Sequence, residues 1–216
     1  MLFFRYRHTA IAKVLFAIAF SVISLVMVQP ALAHHPFGGS TPDSLLTGFL
    51  SGLGHPIVGL DHFAFVVAVG LLAVLKHKLG FLIPIAFTGA TAIGAIVHLQ
   101  SIDLPIAEII IALSVIGAGV ALAVEKFNLS SLIVLSGIAG IFHGFAYGEA
   151  IFGAEMTPLS AYLFGFIVIQ LSVSAIAFYL GRLTVTSINK NSSLALRFAG
   201  CVIAGIGISF LSNSLF

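Results

Sequence analysis

The chain has 216 residues, of which 60% are hydrophobic and only 7% are charged, and it contains eight histidines. A soluble domain carries about 25% charged residues, so this composition excludes an ordinary globular protein and predicts a polytopic membrane protein. The net charge of +2, with no run of basic residues, argues against a nucleic-acid partner. The single cysteine, Cys201, excludes an internal disulfide framework and any multi-cysteine metal site.

The amino terminus has the pattern of a secretory signal peptide. Three basic residues precede an apolar stretch at 14–28, and the sequence Ala-Leu-Ala ends at Ala33. This pattern predicts a signal peptide over 1–33 with cleavage after Ala33, and the alternative is an uncleaved signal anchor. Cleavage leaves His34 and His35 at the new amino terminus, where a free amine beside an imidazole can chelate a divalent ion. The alternative for His35 is a polar tail without a role in metal binding.

The remainder of the chain predicts an all-α fold with about six transmembrane helices and short loops. Each segment approaches the roughly 20 apolar residues that a helix needs to cross the hydrocarbon core. A shorter apolar segment at 45–53 predicts a re-entrant or interfacial helix within an outer segment, 34–54, that precedes a transmembrane domain over 55–216. The six predicted spans are 56–75, 79–99, 104–124, 129–149, 158–181 and 194–211.

The distribution of cations orients these spans. Every Lys and Arg after the signal falls on the same side of the predicted topology, and the positive-inside rule makes that side cytoplasmic. The mature amino terminus and Phe216 are therefore expected outside. These cations are Lys76, Lys78, Lys126, Arg182, Lys190 and Arg197.

Ionisable residues cluster in the outer half of the predicted spans. Placing one ionisable side chain near the bilayer centre costs about 2.5–3.5 kcal/mol, so such residues usually mark a transport pathway or a binding site. Imidazole and carboxylate groups without thiols suit nickel, cobalt, zinc, manganese or iron, and the pattern therefore predicts a divalent metal site. For a single residue such as His62, the alternative interpretation is a capped histidine or one at the membrane interface. The seven residues are His55, Asp61, His62, His98, Glu108, His143 and Glu149.

His55 and His62 are seven residues apart, which is nearly two turns of a helix. In a regular helix they share a face but lie about 10 Å apart along the axis, too far to hold one ion together. Pro56 and Gly59 are expected to break the helix and turn both imidazoles toward one centre.

Small residues recur every fourth position in two of the predicted spans. This small-xxx-small spacing predicts that the helices approach each other closely, near the candidate ligands. The two stripes are Gly140, Gly144 and Gly148 in one span and Ala86, Ala90 and Gly94 in another.

The sequence resembles the HupE/UreJ family through residues 55–62 (HPIVGLDH), residues 143–149 (HGFAYGE) and, more weakly, the segment 105–115. The resemblance implies a bacterial inner-membrane permease for nickel or cobalt, associated with hydrogenase, urease or cobalamin pathways. It also implies metal-handling roles for His55, Asp61, His62, His143 and Glu149. His98 and Glu108 are added on the basis of their depth and chemistry.

Together these features predict a secondary transporter or facilitator for Ni²⁺ or Co²⁺ that carries no prosthetic group. No nucleotide-binding loop is present in the sequence. The expected partners are the metal ion and the bilayer, with a second copy of the chain or metalloenzyme-maturation proteins as further candidates. Because the imidazoles must be neutral to bind metal, uptake is expected to fail as the medium is acidified through about pH 6.

Two other functions fit the same residues. An intramembrane zinc hydrolase needs three protein ligands and an open water position, whereas seven candidates along a path favour transit. An accessory or sensor protein binds metal without moving it across the membrane. The sequence does not decide between nickel and cobalt, because both accept the same nitrogen and oxygen ligands.

Overall fold

A computed structural model describes residues 41–187 and 192–215. These residues form seven α-helices and one 3₁₀ turn, His77–Leu79, without a strand in the described ranges. The predicted signal peptide, His34, His35, Lys190 and Phe216 lie outside them. The helices are α1 (Leu45–Val58), α2 (Leu60–Val74), α3 (Leu82–Leu99), α4 (Ala107–Val124), α5 (Leu129–Glu149), α6 (Met156–Ser187) and α7 (Ser192–Leu215).

The all-α polytopic fold predicted from the sequence is confirmed. Among the described residues, the five helices α3 to α7 are long and apolar enough to cross a membrane. Helices α1 and α2 together form a sixth crossing or a re-entrant loop, because they are bent by 81° at a short break. The loops that connect α1 through α6 are short, as predicted.

The predicted first span, 56–75, is interrupted at Gly59, and the helix before the break is longer than the short segment expected at 45–53. The helix α1 continues past residue 53 to Val58 and contains Pro56, and a new helix begins at Leu60. Hydropathy alone does not locate this helix boundary, because it depends on composition and not on the direction in which the chain runs. The bend itself falls at Gly59, as expected from Pro56 and Gly59 together.

Helix α1 begins with a capping box, in which the Ser44 side chain accepts a hydrogen bond from the Thr47 backbone and Thr47 reciprocates. It then packs against α6 at very short range. A Cβ added at Gly48 or Gly52 would collide with the backbone carbonyl of Pro158 or Tyr162, respectively. These glycines therefore let α1 lie directly on the α6 backbone, which fixes the position of His55 at its far end.

Close packing of α3 on α5 confirms the prediction from the two small-residue stripes. A Cβ at Gly140 would lie 2.6 Å from the carbonyl oxygen of Phe87, and one at Gly144 would collide with the Thr91 backbone. Gly94 is equally close to the Ile141 carbonyl. The contact between α3 and α5 is the most extensive between any two helices of the described structure.

Helix α2 lies at the centre of the bundle and contacts α1, α3, α4, α6 and α7. Its middle is buried, with Ala68 and Val69 fully inaccessible, and it packs against Ile83, Val115 and Leu122 from its neighbours. The outward faces of the other helices remain apolar, as expected for surfaces that contact lipid.

Within the described ranges, the cations after residue 41 lie near the ends of α2, α4 and α6 and the start of α7, which is one end of an alternating bundle. Lys76 donates a hydrogen bond to the Phe127 carbonyl. Arg197 donates from Nε to the Ala123 carbonyl at 2.8 Å and lies 4.0 Å from Glu125. Arg197 therefore pairs with a carbonyl in the last turn of α4, where a helix leaves such groups without intrahelical partners, and Lys76 pairs with a carbonyl of the following connection.

Candidate metal site

The bend between α1 and α2 brings His55 and His62 together. Gly59 has an extended backbone (φ −73°, ψ 103°), yet its N–H still donates to the His55 carbonyl at 3.2 Å. The two imidazole centroids lie 5.8 Å apart, compared with the spacing of about 10 Å along a regular helix. That separation allows each ring to direct one nitrogen toward a shared ion at about 2.1 Å.

Asp61 lies in the first turn of α2, between these two histidines in the chain. Its Oδ1 accepts a hydrogen bond from the His62 backbone N–H at 2.8 Å, and the residue is buried. The N-terminus of a helix favours a carboxylate through its exposed N–H groups and its dipole. The fold therefore holds a carboxylate oxygen directly beside an imidazole.

His143, on α5, is the third imidazole of the cluster. Its Nδ1 lies 2.9 Å from Nδ1 of His62, and its Nε2 lies 2.9 Å from Oγ of Ser114 on α4. Phe65 and Phe87 pack on its ring, with centroids at 4.7 and 5.4 Å. His143 is thus fully buried, with both nitrogens engaged by protein groups.

Two tyrosines form the opposite wall. The Tyr147 ring meets His55 and His62 edge-on, at centroid distances of 5.0 and 4.7 Å. The Tyr162 ring lies 6.3 Å from His55, and its hydroxyl donates to the Tyr147 carbonyl at 2.8 Å. Such an aromatic enclosure excludes water and strengthens the interactions of the few polar groups inside it.

No three His, Cys, Asp or Glu side chains among the described residues stand together in a geometry ready for metal. The structure supplies a pair of imidazoles and an adjacent carboxylate, and an ion must draw these groups closer to be held by all three.

The structure does not bring all seven predicted residues together at one point. Glu108 and Glu149 are exposed. Glu149 follows His143 by six residues, which turns its side chain about 120° away around the helix. Two residues at the same depth in the membrane therefore need not point toward the same site. The metal-handling roles of both glutamates stay predictions.

His98 also lies apart from the other histidines, in the last turn of α3. Its ring packs edge-on against Phe145 and Phe152, at 4.5 and 5.8 Å. Together with Ser101 and Asp103 it lines an open cavity of about 230 Å³. Its role in metal handling stays a prediction that belongs to this cavity and not to the buried cluster.

Several residues of the cluster were missed by sequence reasoning. Ser114, Tyr147 and Tyr162 carry no charge and occupy apolar spans, so neither depth nor charge marks them. Gln170 and Thr91 form a second buried polar contact, with the Gln170 amide donating to the Thr91 hydroxyl at 3.2 Å. A glutamine within an otherwise apolar span was the available signal for that contact.

Replacing Gly59 by alanine is expected to weaken metal handling. The backbone conformation suits any residue, but the new Cβ would lie 2.7 Å from Cδ2 of His62 and 3.3 Å from Oδ1 of Asp61. Both side chains must then shift, so we expect apparent metal affinity to fall by about tenfold. Tracer uptake against ion concentration measures the change.

The matched control is Gly89→Ala on α3, where an added Cβ meets nothing within 4 Å. Equal affinities for the Gly59→Ala protein and this control would contradict the placement of His62 and Asp61 in the site.

Membrane-length helices around a buried imidazole cluster define a polytopic membrane protein with a candidate site for a divalent metal. The family described as HupE / UreJ protein matches residues 22–210. Protein HupE of Rhizobium leguminosarum bv. viciae is 31% identical over 187 residues, covering 86% of this chain and 93% of the relative. No solved structure matches.

The chain belongs to the HupE/UreJ family. This is a family of nickel- and cobalt-related transport and accessory proteins rather than of enzymes, and membership supports a role as a metal permease in a multi-pass membrane protein.

Proposed function

We propose that the protein is a secondary permease that takes up Ni²⁺ or Co²⁺ through the bend between α1 and α2. The observation that carries this proposal is the pairing of His55 and His62, both buried and 5.8 Å apart, beside the buried carboxylate of Asp61. Two imidazoles and a carboxylate oxygen suit borderline divalent ions of the first transition row.

The broken helix supports transport over static binding. Discontinuous helices whose ends meet inside a bundle are a recurring way in which transporters place ligands for ions. Here Asp61 occupies the N-terminal end of α2 while His55 lies near the C-terminal end of α1. Hinge movement at Gly59 would change the separation of the ligands, and so offers a means of binding and releasing the ion.

The proposed direction of transport follows from the orientation of the protein in the membrane. We place the protein in the bacterial inner membrane with both termini on the periplasmic side, because the positively charged end of the bundle then faces the cytoplasm. Ions would be collected outside, by His34 and His35 and by the His98 cavity, with Glu108 and Glu149 along the approach. We assign no prosthetic group and no nucleic-acid partner; a second copy of the chain and metalloenzyme-maturation proteins are the candidate protein partners.

The test compares metal binding and metal flux for the same purified protein. Purified protein in detergent is titrated with Ni²⁺ and Co²⁺, and protein in lipid vesicles is assayed for saturable uptake of radioactive nickel and cobalt. A permease binds and transports, and the faster tracer identifies the preferred ion. Binding without flux would instead support a sensor, and release of fatty acid or peptide fragments by the zinc-loaded protein would support a hydrolase.

A further inference from the structure

A second group of buried polar side chains lies between α3 and α6, apart from the histidines. Gln170 is 1% exposed and donates from Nε2 to the Thr91 hydroxyl at 3.2 Å across these two helices. Thr88, one turn before Thr91, is 4% exposed. Ala95, one turn after Thr91, belongs to the same apolar cluster as Phe166 of α6. Residues at this spacing share a face of a helix, so both threonines lie on the face of α3 that packs against α6.

The group lies beside the candidate metal site, toward the positively charged end of the bundle. Gln170 follows Phe166 by one turn of α6, and the Phe166 ring packs on the ring of Tyr147 at 5.5 Å. Tyr147 belongs to the aromatic wall around His55. Thr88 lies in the first half of α3, nearer the end of the bundle that carries the cations. The group is therefore next to the aromatic wall and inward of it.

Two oxygen atoms of this group have no hydrogen donor among the described residues. The Thr91 hydroxyl has one proton and two acceptors, the Thr88 carbonyl at 2.7 Å and Gln170 Oε1 at 3.4 Å. The shorter hydrogen bond takes the proton, and the Gln170 amide oxygen is left without one. The Thr88 hydroxyl also forms no hydrogen bond within the described ranges. Such a pair of oxygens is unusual, because most buried polar groups in proteins are hydrogen-bonded.

We infer that Gln170 and Thr88 supply the oxygens of a second cation site, through which the divalent ion passes after it leaves the histidines. This inference rests on the proposed function, because that function supplies the ion. Carbonyl and hydroxyl oxygens bind a divalent cation directly or through a water molecule of its hydration shell. Thr91 is a positioning residue that holds the Gln170 amide.

Neutral oxygens suit a site that the ion occupies only in transit. Nickel and cobalt prefer imidazole to amide and hydroxyl oxygens, so the ion is held less tightly here than by His55, Asp61 and His62. Conduction requires sites that are favourable enough to enter and weak enough to leave. A weaker site inward of a stronger one therefore provides a means of release toward the cytoplasm.

The alternative is a purely structural role for the group. Polar side chains commonly form hydrogen bonds that join transmembrane helices, and the bond between Gln170 and Thr91 is of that kind. A structural role does not need the Thr88 hydroxyl, which forms no hydrogen bond with any described residue. Removal of that hydroxyl therefore separates the two roles.

Thr88→Val makes this separation. Valine keeps the shape of threonine and removes only the hydroxyl, so a structural role predicts no loss of stability and no change in uptake. If the hydroxyl contacts the ion in transit, we expect Co²⁺ affinity in detergent to stay within about twofold of the wild type while maximal tracer uptake falls about tenfold.

Ser209→Ala is the matched control, because Ser209 lies on α7 and is also 4% exposed. We expect this control to take up the tracer at the wild-type rate. Wild-type maximal uptake by Thr88→Val would overturn the inference. A fall in uptake of the same size in the control, or a loss of Co²⁺ affinity as large as the loss of uptake, would also overturn it.

Equilibrium dialysis against radioactive cobalt tests the second site without any transport. Gln170→Glu keeps a side-chain oxygen in place and adds a charge, so we expect it to bind about one Co²⁺ per chain more than the wild type. Gln170→Met has a similar length and no oxygen, and as the control it should bind the same amount as the wild type. No additional ion in Gln170→Glu would overturn the inference.

Thr88→Val introduced into Gln170→Glu should weaken binding of the additional ion about tenfold, because both residues contact that ion. Equal affinity with and without the Thr88 hydroxyl would overturn the shared site. Absence of saturable uptake by the wild type would contradict the proposed function, while dialysis would still decide whether the second site exists. The two failures are therefore distinguishable.

Discussion

Metal uptake is expected to be lost in the Asp61→Asn variant, although the protein still inserts into the membrane. The amide oxygen of asparagine can accept the hydrogen bond that the His62 backbone N–H donates to the carboxylate at 2.8 Å, so this contact in the first turn of α2 is retained. The substitution removes only the negative charge that offsets the charge of the ion. Loss of an outer-shell partner costs 10–100-fold in affinity, so loss of this ligand should lower uptake at least about 100-fold.

Uptake of nickel and cobalt tracers into vesicles measures this effect, with the amount of inserted protein determined in parallel. Asp43→Asn is the control, because Asp43 is exposed ahead of α1, where its Oδ1 accepts a hydrogen bond from the Thr47 hydroxyl at 3.2 Å. We expect the control to transport normally. Uptake by Asp61→Asn equal to that of the control would remove the carboxylate from the mechanism.

The second large effect is expected on stability. Gly144→Ala places a methyl group against the backbone oxygen and carbon of Thr91, which cannot move aside as a flexible side chain can. The variant must therefore separate α3 from α5 along their most extensive contact. Overpacking of this kind should reduce the free energy of unfolding by about 3 kcal/mol.

Thermal unfolding of the protein in detergent measures the loss. Gly137→Ala on the same helix is the matched control, since an added Cβ there meets nothing within 4 Å, and alanine is also the better helix former. If both variants unfold at the wild-type temperature, close approach of the two helices is not what stabilises the bundle.

Much of the architecture was predictable because the lipid environment leaves few alternatives. Long apolar runs in a bilayer must form helices, and the spacing of Gly140 and Gly144 indicated close approach before any partner helix was known. Pro56 and Gly59 also indicated the break between α1 and α2. The length of the helix before the break was not predictable in the same way, because the apolar composition does not change between residue 53 and Val58, where α1 ends.

The site was predictable in part, for a related reason. His55, Asp61 and His62 are close in sequence, and local breakage at Gly59 was enough to bring the two rings together. Glu149 and His143 share a helix, but their separation of six residues places them on different faces, which depth alone does not reveal. Ser114 contacts His143 only through the packing of α4 on α5, and no local pattern encodes such a contact.

The most direct test of this account is uptake of nickel and cobalt tracers into vesicles that contain wild-type protein or the His62→Ala variant. The His62 ring lies 5.8 Å from the His55 ring and is hydrogen-bonded to His143, so its removal leaves the ion without the central imidazole. The account predicts saturable uptake by the wild type and uptake by the variant no faster than by protein-free vesicles. Equal saturable uptake by the two proteins would contradict it.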